Sequence, residues 1–175
     1  MEFQFLGSEA AGPTLRLDHE AFAYAGKFVM SSTGKTVVHD GDTLVGAVAF
    51  SEDSTDSATV RLRYVTVRER RRGEGIGPRL LRFTADRLTA EYDTVEIAVN
   101  NPIAYEACYR AGFIYTGEQA GIAELRTVYR PGDASPEAYR SGFAQFRERE
   151  LPPEHEAICD RYGDSDPPAV VDVPE

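Results

Sequence analysis

A strand, a glycine-rich turn and a helix follow one another without interruption in residues 61–81. The first part is rich in β-branched and aromatic residues, which is typical of a strand. The turn contains Gly73, Gly75 and Gly77, and from Ile76 onward apolar residues recur at helical spacing. The first N–H groups of a helix have no partner inside it, and the helix dipole adds partial positive charge. This order of elements therefore predicts a phosphate-binding turn.

The charge around this turn differs from the charge of the whole chain. The formal net charge is −10, yet four arginines surround the turn, namely Arg68, Arg70, Arg71 and Arg72. The overall acidity argues against general nucleic-acid binding, because phosphate contacts need basic patches. A ligand that carries several phosphates explains the cluster better than an exposed charged turn does.

Two common phosphate motifs do not fit the sequence. The dinucleotide fingerprint G-x-G-x-x-G has a different spacing from Gly73-Glu74-Gly75-Ile76-Gly77. A P-loop ending in Thr33-Gly34-Lys35-Thr36 would need glycine where the chain has Val29. The pattern Arg/Gln-x-x-Gly-x-Gly/Ala does fit, as Arg72-Gly73-Glu74-Gly75-Ile76-Gly77 after a strand that ends in Val-x-Val.

A second motif lies downstream of the first. The pattern N-P-x-A-x-x-x-Tyr-x-x-x-Gly-Phe matches at Asn101, Ala104, Gly112 and Phe113, and Cys108 occupies the tyrosine position. Two separated motifs in the right order are more specific than either alone. Together they resemble the GNAT superfamily of N-acyltransferases.

The resemblance implies a mixed α+β fold, with a central, mostly antiparallel, splayed sheet of about six to seven strands flanked by helices. Alternating patterns predict strands at 3–6, 14–17, 35–39, 43–50, 59–67, 94–100, 113–116 and 124–130. Helical patterns are found at 76–91, 102–110, 136–150 and 152–162. Segment 18–29 fits a strand or a helix. In the resembling enzymes it normally holds one or two helices and often shapes the acceptor pocket.

We expect three parts in the chain. Residues 1–131 would form the GNAT-like acyl-CoA-binding catalytic domain. Residues 132–162 would form a helical extension that packs on this domain or on a partner subunit, with a homodimer as one option. Residues 163–175 are acidic and rich in proline, which predicts a flexible tail.

The resemblance also implies acetyl-CoA as the cosubstrate, coenzyme A as a product, and no metal. The main chain of Val65 and Val67 would contact the pantetheine arm, and Asn101 would bind pantetheine or an ordered water. In this family the strands resembling 59–67 and 94–100 splay apart, and the thioester enters the gap. An N–H near Val65 would polarise its carbonyl. The pyrophosphate would be held by Arg70, Arg71, Arg72, Gly73, Glu74, Gly75, Ile76 and Gly77.

The mechanism implied is direct transfer without a covalent enzyme intermediate. A deprotonated primary amine attacks the thioester, and coenzyme A leaves as the thiolate. The family often uses a tyrosine as the general acid where this chain has Cys108. Tyr109 is the first alternative acid and Tyr105 the second, and a thiolate is also a good enough leaving group to need no protein acid. The candidate bases are Glu52, Glu96, Glu106 and His39.

Other functional classes remain open at this level. A non-catalytic acyl-CoA-binding sensor and a protein-interaction subunit are the alternatives to an enzyme. The acceptor could be a small amine, a polyamine, an antibiotic or a protein amino group.

Composition points to the cellular setting. The chain has no apolar run long enough to span a membrane and no signal-peptide pattern at its start, which predicts a cytoplasmic protein without membrane contacts. Only Lys27 and Lys35 among the 19 basic residues are lysines. An acidic, lysine-poor surface stays hydrated at high salt, which predicts a halophilic source.

Overall fold

The computed structural model describes residues 1–162 and 164–175. The chain divides into two compact units, residues 1–95 with 172–175 and residues 96–171. Gly163, the first residue of the predicted tail, lies outside the described residues. The assignment of 1–131 to a catalytic domain and of 132–162 to an extension stays a prediction.

The first unit is built on four strands that follow one another as an antiparallel meander. These are β1 (Glu2–Gly7), β2 (Gly34–Asp40), β3 (Thr43–Glu52) and β4 (Thr59–Val67). Asp40 pairs with Thr43, so the turn between β2 and β3 has only two residues. Its first residue is Gly41 with φ 57°, a left-handed conformation that glycine adopts without steric cost. Strands β2 and β3 therefore form a tight hairpin.

The segment between β1 and β2 differs from the sequence prediction. Residues 14–17 do not form a strand, and 18–29 form neither a strand nor an α-helix, only a 3₁₀ turn at Ala25–Lys27. The N–H of Leu15 does donate to the carbonyl of Phe28 at 2.9 Å. The apolar residues of this segment pack against a buried cluster that includes Phe28, Val37 and Ala47. Burial against the sheet, rather than a ladder of hydrogen bonds, therefore explains the alternation.

Lys35 of β2 holds the segment between β1 and β2 in place through hydrogen bonds. Its ammonium is fully buried and donates to the carbonyls of Pro13 (2.7 Å), Met30 (2.7 Å) and Thr33 (2.8 Å), and to the Thr33 hydroxyl (2.7 Å). Burial lowers the pKa of Lys35, while four oxygen acceptors favour its charged form. One side chain thus ties both ends of the segment to β2.

Helix α1 (Ile76–Leu88) packs on the same four-stranded sheet. Leu80 of α1 is buried against β3, where a Cβ on Gly46 would lie only 3.1 Å from its Cδ2 atom. Glycine at this position therefore lets the helix approach the sheet. The helix ends three residues before the predicted end at residue 91. After it, the N–H groups of Ala90 and Glu91 donate to the carbonyls of Arg87 and Leu88 in turns.

The second unit contains three antiparallel strands in the order β5-β7-β6. Strand β5 (Thr94–Val99) has its first two residues in the first unit, and β6 (Phe113–Ala120) is longer than predicted. Strand β7 (Glu124–Tyr129) lies between them. The alternate residues Val95, Ile97 and Val99 of β5 are buried.

Three helices complete this unit: α2 (Pro102–Arg110), α3 (Pro136–Arg147) and α4 (Pro153–Tyr162). Asn101 and Ser135 cap α2 and α3 through side-chain oxygens. Helix α3 approaches α2 closely, because a Cβ on Gly142 would collide with the ring of Tyr105. Beyond Gly163, the N–H of Val171 donates to the carbonyl of Arg110 at 2.7 Å.

The fold class predicted from the sequence is confirmed: the described chain is a mixed α+β protein with seven mostly antiparallel strands. No helix in residues 1–162 or 164–175 is long and apolar enough to cross a membrane. Within those residues, no three His, Cys, Asp or Glu side chains are grouped so that they could hold a metal ion.

Candidate functional site

The glycine turn is held at its start by main-chain hydrogen bonds. After β4, the N–H of Arg68 donates to the carbonyl of Val45, and the N–H of Glu69 donates to that of Ala21, both at 2.9 Å. A short 3₁₀ turn at Glu69–Arg71 follows. The entry to the turn is therefore fixed by β3 and by the segment before β2.

The glycines leave the N-terminus of α1 open. Gly73 and Gly75 have φ of 85° and 73°, which is the left-handed region. Gly75 is the N-cap of α1, where it offers no side chain to the first N–H groups of the helix. A Cβ on Gly73 would meet no atom within 4 Å. Among the turn and cap hydrogen bonds of the described residues, none is donated by the N–H of Gly73 or Gly75. The predicted donors are thus free for an anion.

The arginines of the turn are not equivalent. Arg71 donates from Nε to the Glu74 carboxylate at 2.8 Å and from a terminal nitrogen to Asp40 at 2.9 Å. These bonds raise the pKa of Arg71 and compensate its charge. Arg70 and Arg72 are exposed. Of the three arginines that we expect to contact the pyrophosphate, Arg71 is paired with carboxylates. Arg70 and Arg72 carry a charge that no carboxylate of the described residues compensates.

Val65 and Val67 lie next to an irregularity in β4. Val65 pairs with Val48, and Val67 pairs with Gly46. Tyr64 pairs with Ala49 but Leu62 pairs with Phe50, so one extra residue, Arg63, is inserted into β4. Such bulges re-aim the strand and are common beside active sites. The sequence carries no signal for this bulge.

A groove lies in the segment before β2, the segment that the resemblance associates with the acceptor pocket. The rings of Tyr24 and Tyr64 are 5.7 Å apart, and the Lys27 ammonium lies 5.7 Å from the centre of the Tyr64 ring. Tyr24 is 60% exposed and has φ 60°, a conformation that costs a non-glycine residue about 1–2 kcal/mol. The groove has a volume of about 490 Å³, and its lining includes His19, Tyr24, Lys27 and Met30. Because strained, exposed residues cluster at ligand sites, it is a candidate acceptor groove.

Asn101 is positioned in the second unit as a helix cap. Its Oδ1 atom accepts from the N–H of Ala104 at 2.9 Å, and its Nδ2 atom donates to the Asn100 side chain at 3.1 Å. The side chain therefore organises the start of α2. Its predicted contact with pantetheine or water stays a prediction.

Tyr105 and Tyr109 are buried in the second unit, with exposed fractions of 0% and 2%. The Tyr105 hydroxyl donates to the carbonyl of Tyr139 at 3.0 Å, and the Tyr109 hydroxyl donates to that of Ser135 at 3.1 Å. Burial raises the pKa of both tyrosines, which makes each a weaker acid. The geometry favours a packing role against α3 over the predicted acid role.

Replacing Tyr109 by phenylalanine tests this point, because the change removes only the hydroxyl. We expect kcat to change less than about threefold and the free energy of unfolding to fall by roughly 1 kcal/mol, the net value of one hydrogen bond. Steady-state kinetics and urea unfolding measure the two quantities, with Tyr105→Phe as a parallel variant. A loss of kcat of about 100-fold or more, together with a lost limb in the pH profile, would instead identify a general acid.

Cys108, at the position of the family tyrosine, is a packing residue. It is 2% exposed, and burial raises the pKa of its thiol to about 12. A thiol that stays protonated is a poor nucleophile. Direct transfer, which the resemblance implies, stays a prediction.

Two of the candidate bases have defined surroundings in the second unit. Glu96 is 4% exposed, and its carboxylate accepts from Arg126 Nε at 2.7 Å. Burial raises the pKa of Glu106, and Arg110, 3.9 Å away, opposes this shift. A carboxylate with a raised pKa is the better proton acceptor near neutral pH. Glu106 is therefore favoured over Glu96 among these two candidates.

Comparison with known proteins identifies a matching family. The family model described as "Acetyltransferase (GNAT) family" matches residues 7–113. No curated protein is significantly similar to the chain.

Solved structures with a similar fold include an IAA acetyltransferase from Bacillus cereus, with TM-score 0.52 and 18% identity over 73% of this chain and 97% of that one. At this identity the likeness shows the fold alone. An acetyltransferase from Bacillus subtilis in complex with CoA has TM-score 0.48 and 18% identity over 56% of this chain and 76% of its own. PaiA N-acetyltransferase from Thermoplasma acidophilum, in complex with coenzyme A, has TM-score 0.46 and 14% identity over 55% of this chain and 59% of its own.

Proposed function

Because the chain belongs to the GNAT family of acetyltransferases, we propose that it transfers an acetyl group from acetyl-CoA to a primary amine by direct attack. The observation that carries this proposal is the open N-terminus of α1. There, left-handed Gly73 and Gly75 present main-chain N–H groups that no oxygen of the described residues accepts. A polyphosphate ligand satisfies such donors and the helix dipole together.

The turn would hold coenzyme A chiefly through its main chain. The N–H groups of Glu74, Ile76 and the three glycines would bind the pyrophosphate, with charge from Arg70 and Arg72. Arg71 would act indirectly, since its bonds to Glu74 and Asp40 keep the Glu74 carboxylate neutralised beside the phosphates. This role differs from the direct contact that the sequence resemblance implies.

The reacting thioester would lie along β4. Main-chain groups of Val65 and Val67 would bind the pantetheine arm, and the N–H of Val65 would stabilise the negative charge that develops on the thioester oxygen. The bulge at Arg63, two residues earlier, supports this placement because it changes the direction of the strand. Asn101 remains a proposed contact of the pantetheine.

Proton transfer would not need a tyrosine. The amine must lose a proton before it attacks, and the proposed bases are Glu52, Glu106 and His39, with Glu106 favoured over Glu96. A thiolate with an ordinary pKa near 8.5 can leave without a protein acid. This explains how the reaction can proceed although Tyr105 and Tyr109 are bound to main-chain carbonyls.

A titration and an assay on the full chain test the proposal. Because the composition predicts a halophilic source, both are made in molar potassium chloride and repeated at low salt. Calorimetric titration is expected to show saturable binding of acetyl-CoA, with dephospho-CoA and ATP binding more weakly. Thiol release is then followed with a panel of a small alkylamine, a polyamine, an aminoglycoside and a lysine peptide.

Each result of this experiment has a definite meaning. Thiol release that depends on one of the amines supports the proposed transfer. Saturable binding without release with any amine would favour a non-catalytic acyl-CoA sensor. No binding by a folded sample would mean that the turn does not hold coenzyme A.

A further inference from the structure

Lys27 is an exception to the composition of this chain. Of 19 basic residues, 17 are arginines, and the two lysines are Lys27 and Lys35. Lys35 is buried and donates to four oxygens, so its role is structural. Lys27 is exposed, at a site where arginine would stack on an aromatic ring at least as well. An exposed amine is thus present where the rest of the chain uses guanidinium.

The chemistry of the two groups differs in one respect that matters here. The guanidinium of arginine stays protonated in proteins, whereas an amine can lose its proton and become a nucleophile. No carboxylate in residues 1–162 or 164–175 forms an ion pair with Lys27. Its amine is therefore free of the kind of partner that would hold it protonated and in place.

The position of Lys27 is defined by its main chain. Its N–H donates to the carbonyl of Tyr24 at 2.8 Å within the 3₁₀ turn Ala25–Lys27, and the next residue, Phe28, is fully buried. Its ammonium lies 5.7 Å from the ring centre of Tyr64. Tyr64 directly precedes Val65 on β4, where the proposed function places the thioester carbonyl. The Lys27 amine, on a flexible four-carbon side chain, therefore lies beside the residue that precedes the proposed position of the thioester.

We propose that Lys27 is acetylated by acetyl-CoA bound to the same chain, an inference that rests on the proposed function. After Nζ loses a proton to solvent, it attacks the thioester carbon, and a C–N bond forms. The C–S bond breaks, the sulfur keeps the electron pair, and the coenzyme A thiolate takes up a proton. The product is a neutral amide at Lys27, so the groove loses its cation beside Tyr64.

Mass spectrometry of the full-length protein after incubation with acetyl-CoA tests this inference. We expect the mass of one acetyl group, located at Lys27 by peptide analysis, with Lys35 unmodified. Lys27→Arg keeps the charge and is expected to remove the modification. Gly75→Asp, which keeps Lys27 but disrupts the phosphate turn, is expected to slow acetylation at least about tenfold. The rate constant should not change with protein concentration, because the reaction occurs within one chain.

Several outcomes would overturn the inference. Saturable binding of acetyl-CoA to a protein whose Lys27 stays unmodified would reject it and leave the proposed function intact. Equal labelling of the wild type and Gly75→Asp would show simple chemical acetylation, and a rate that increases with protein concentration would show reaction between chains. Absence of acetyl-CoA binding, measured on the same sample by calorimetry, would reject both proposals together.

Discussion

Replacing Gly75 by aspartate is expected to weaken acetyl-CoA binding by roughly 10- to 100-fold. Gly75 is the N-cap residue of α1 and has φ 73°. Because it has no side chain to accept from the first N–H groups of the helix, a phosphate can bind them. An aspartate there would accept those N–H groups itself and would repel the phosphates. Loss of one charge-assisted hydrogen bond, at about 1.5–3 kcal/mol, corresponds to roughly this range. Calorimetric titration measures the dissociation constant directly.

Gly117→Asp is the matched control for this variant. Gly117 also has a left-handed φ, 85°, and a Cβ there would meet no atom within 4 Å. The control adds the same charge and the same backbone strain at a position in β6, outside the turn. It is expected to lose a similar amount of stability but to bind acetyl-CoA as the wild type does. Equal affinity in both variants would show that the glycine turn does not contact the phosphates.

Replacing Lys35 by methionine is expected to lower the free energy of unfolding by roughly 3–5 kcal/mol. The ammonium satisfies three carbonyls and one hydroxyl in a fully buried position. Methionine fills a similar volume but removes this donor from all four oxygens. The carbonyls of Pro13 and Met30 are only part-buried and can accept from water, so the cost falls on the two buried oxygens of Thr33, at about 1–3 kcal/mol each. Urea unfolding at constant salt measures the change.

Lys27→Met is the control for the loss of a lysine charge. Lys27 is exposed, and its only described side-chain contact is with the Tyr64 ring, so its replacement is expected to change stability by less than about 0.5–1 kcal/mol. If Lys35→Met unfolds at the same urea concentration as this control, water must replace the ammonium, and the segment between β1 and β2 does not depend on Lys35.

Local signals in the sequence account for much of the fold. The bounds of β4 and α2, the two-residue hairpin turn and the caps at Asn101 and Ser135 follow from neighbouring residues. Their physical causes, namely turn conformation, capping and periodic burial, act over a few residues. For the same reason the glycine turn and its helix could be found without the structure.

Local patterns were misleading where burial depends on distant residues. The alternation in 14–17 and 18–29 predicts regular elements, but Leu15, Leu17 and Phe28 pack with Val37 and Ala47 of the sheet instead. Tyr105 and Tyr109 illustrate the same limit. Their carbonyl acceptors lie 26 or more residues away along the chain, so the sequence could not show that the hydroxyls are bound.

The sequence by itself determined that a strand, a glycine turn and a helix N-terminus follow one another, because each depends on the conformational preferences of adjacent residues. Only the tertiary structure decided which charges in that region are available. Asp40 reaches Arg71 across 31 residues, and Lys35 is enclosed by carbonyls from Pro13 to Thr33. Lys27 is left exposed beside Tyr64. Charge pairing is set by distance in space, and the folded chain brings together groups whose positions in the sequence give no sign of it.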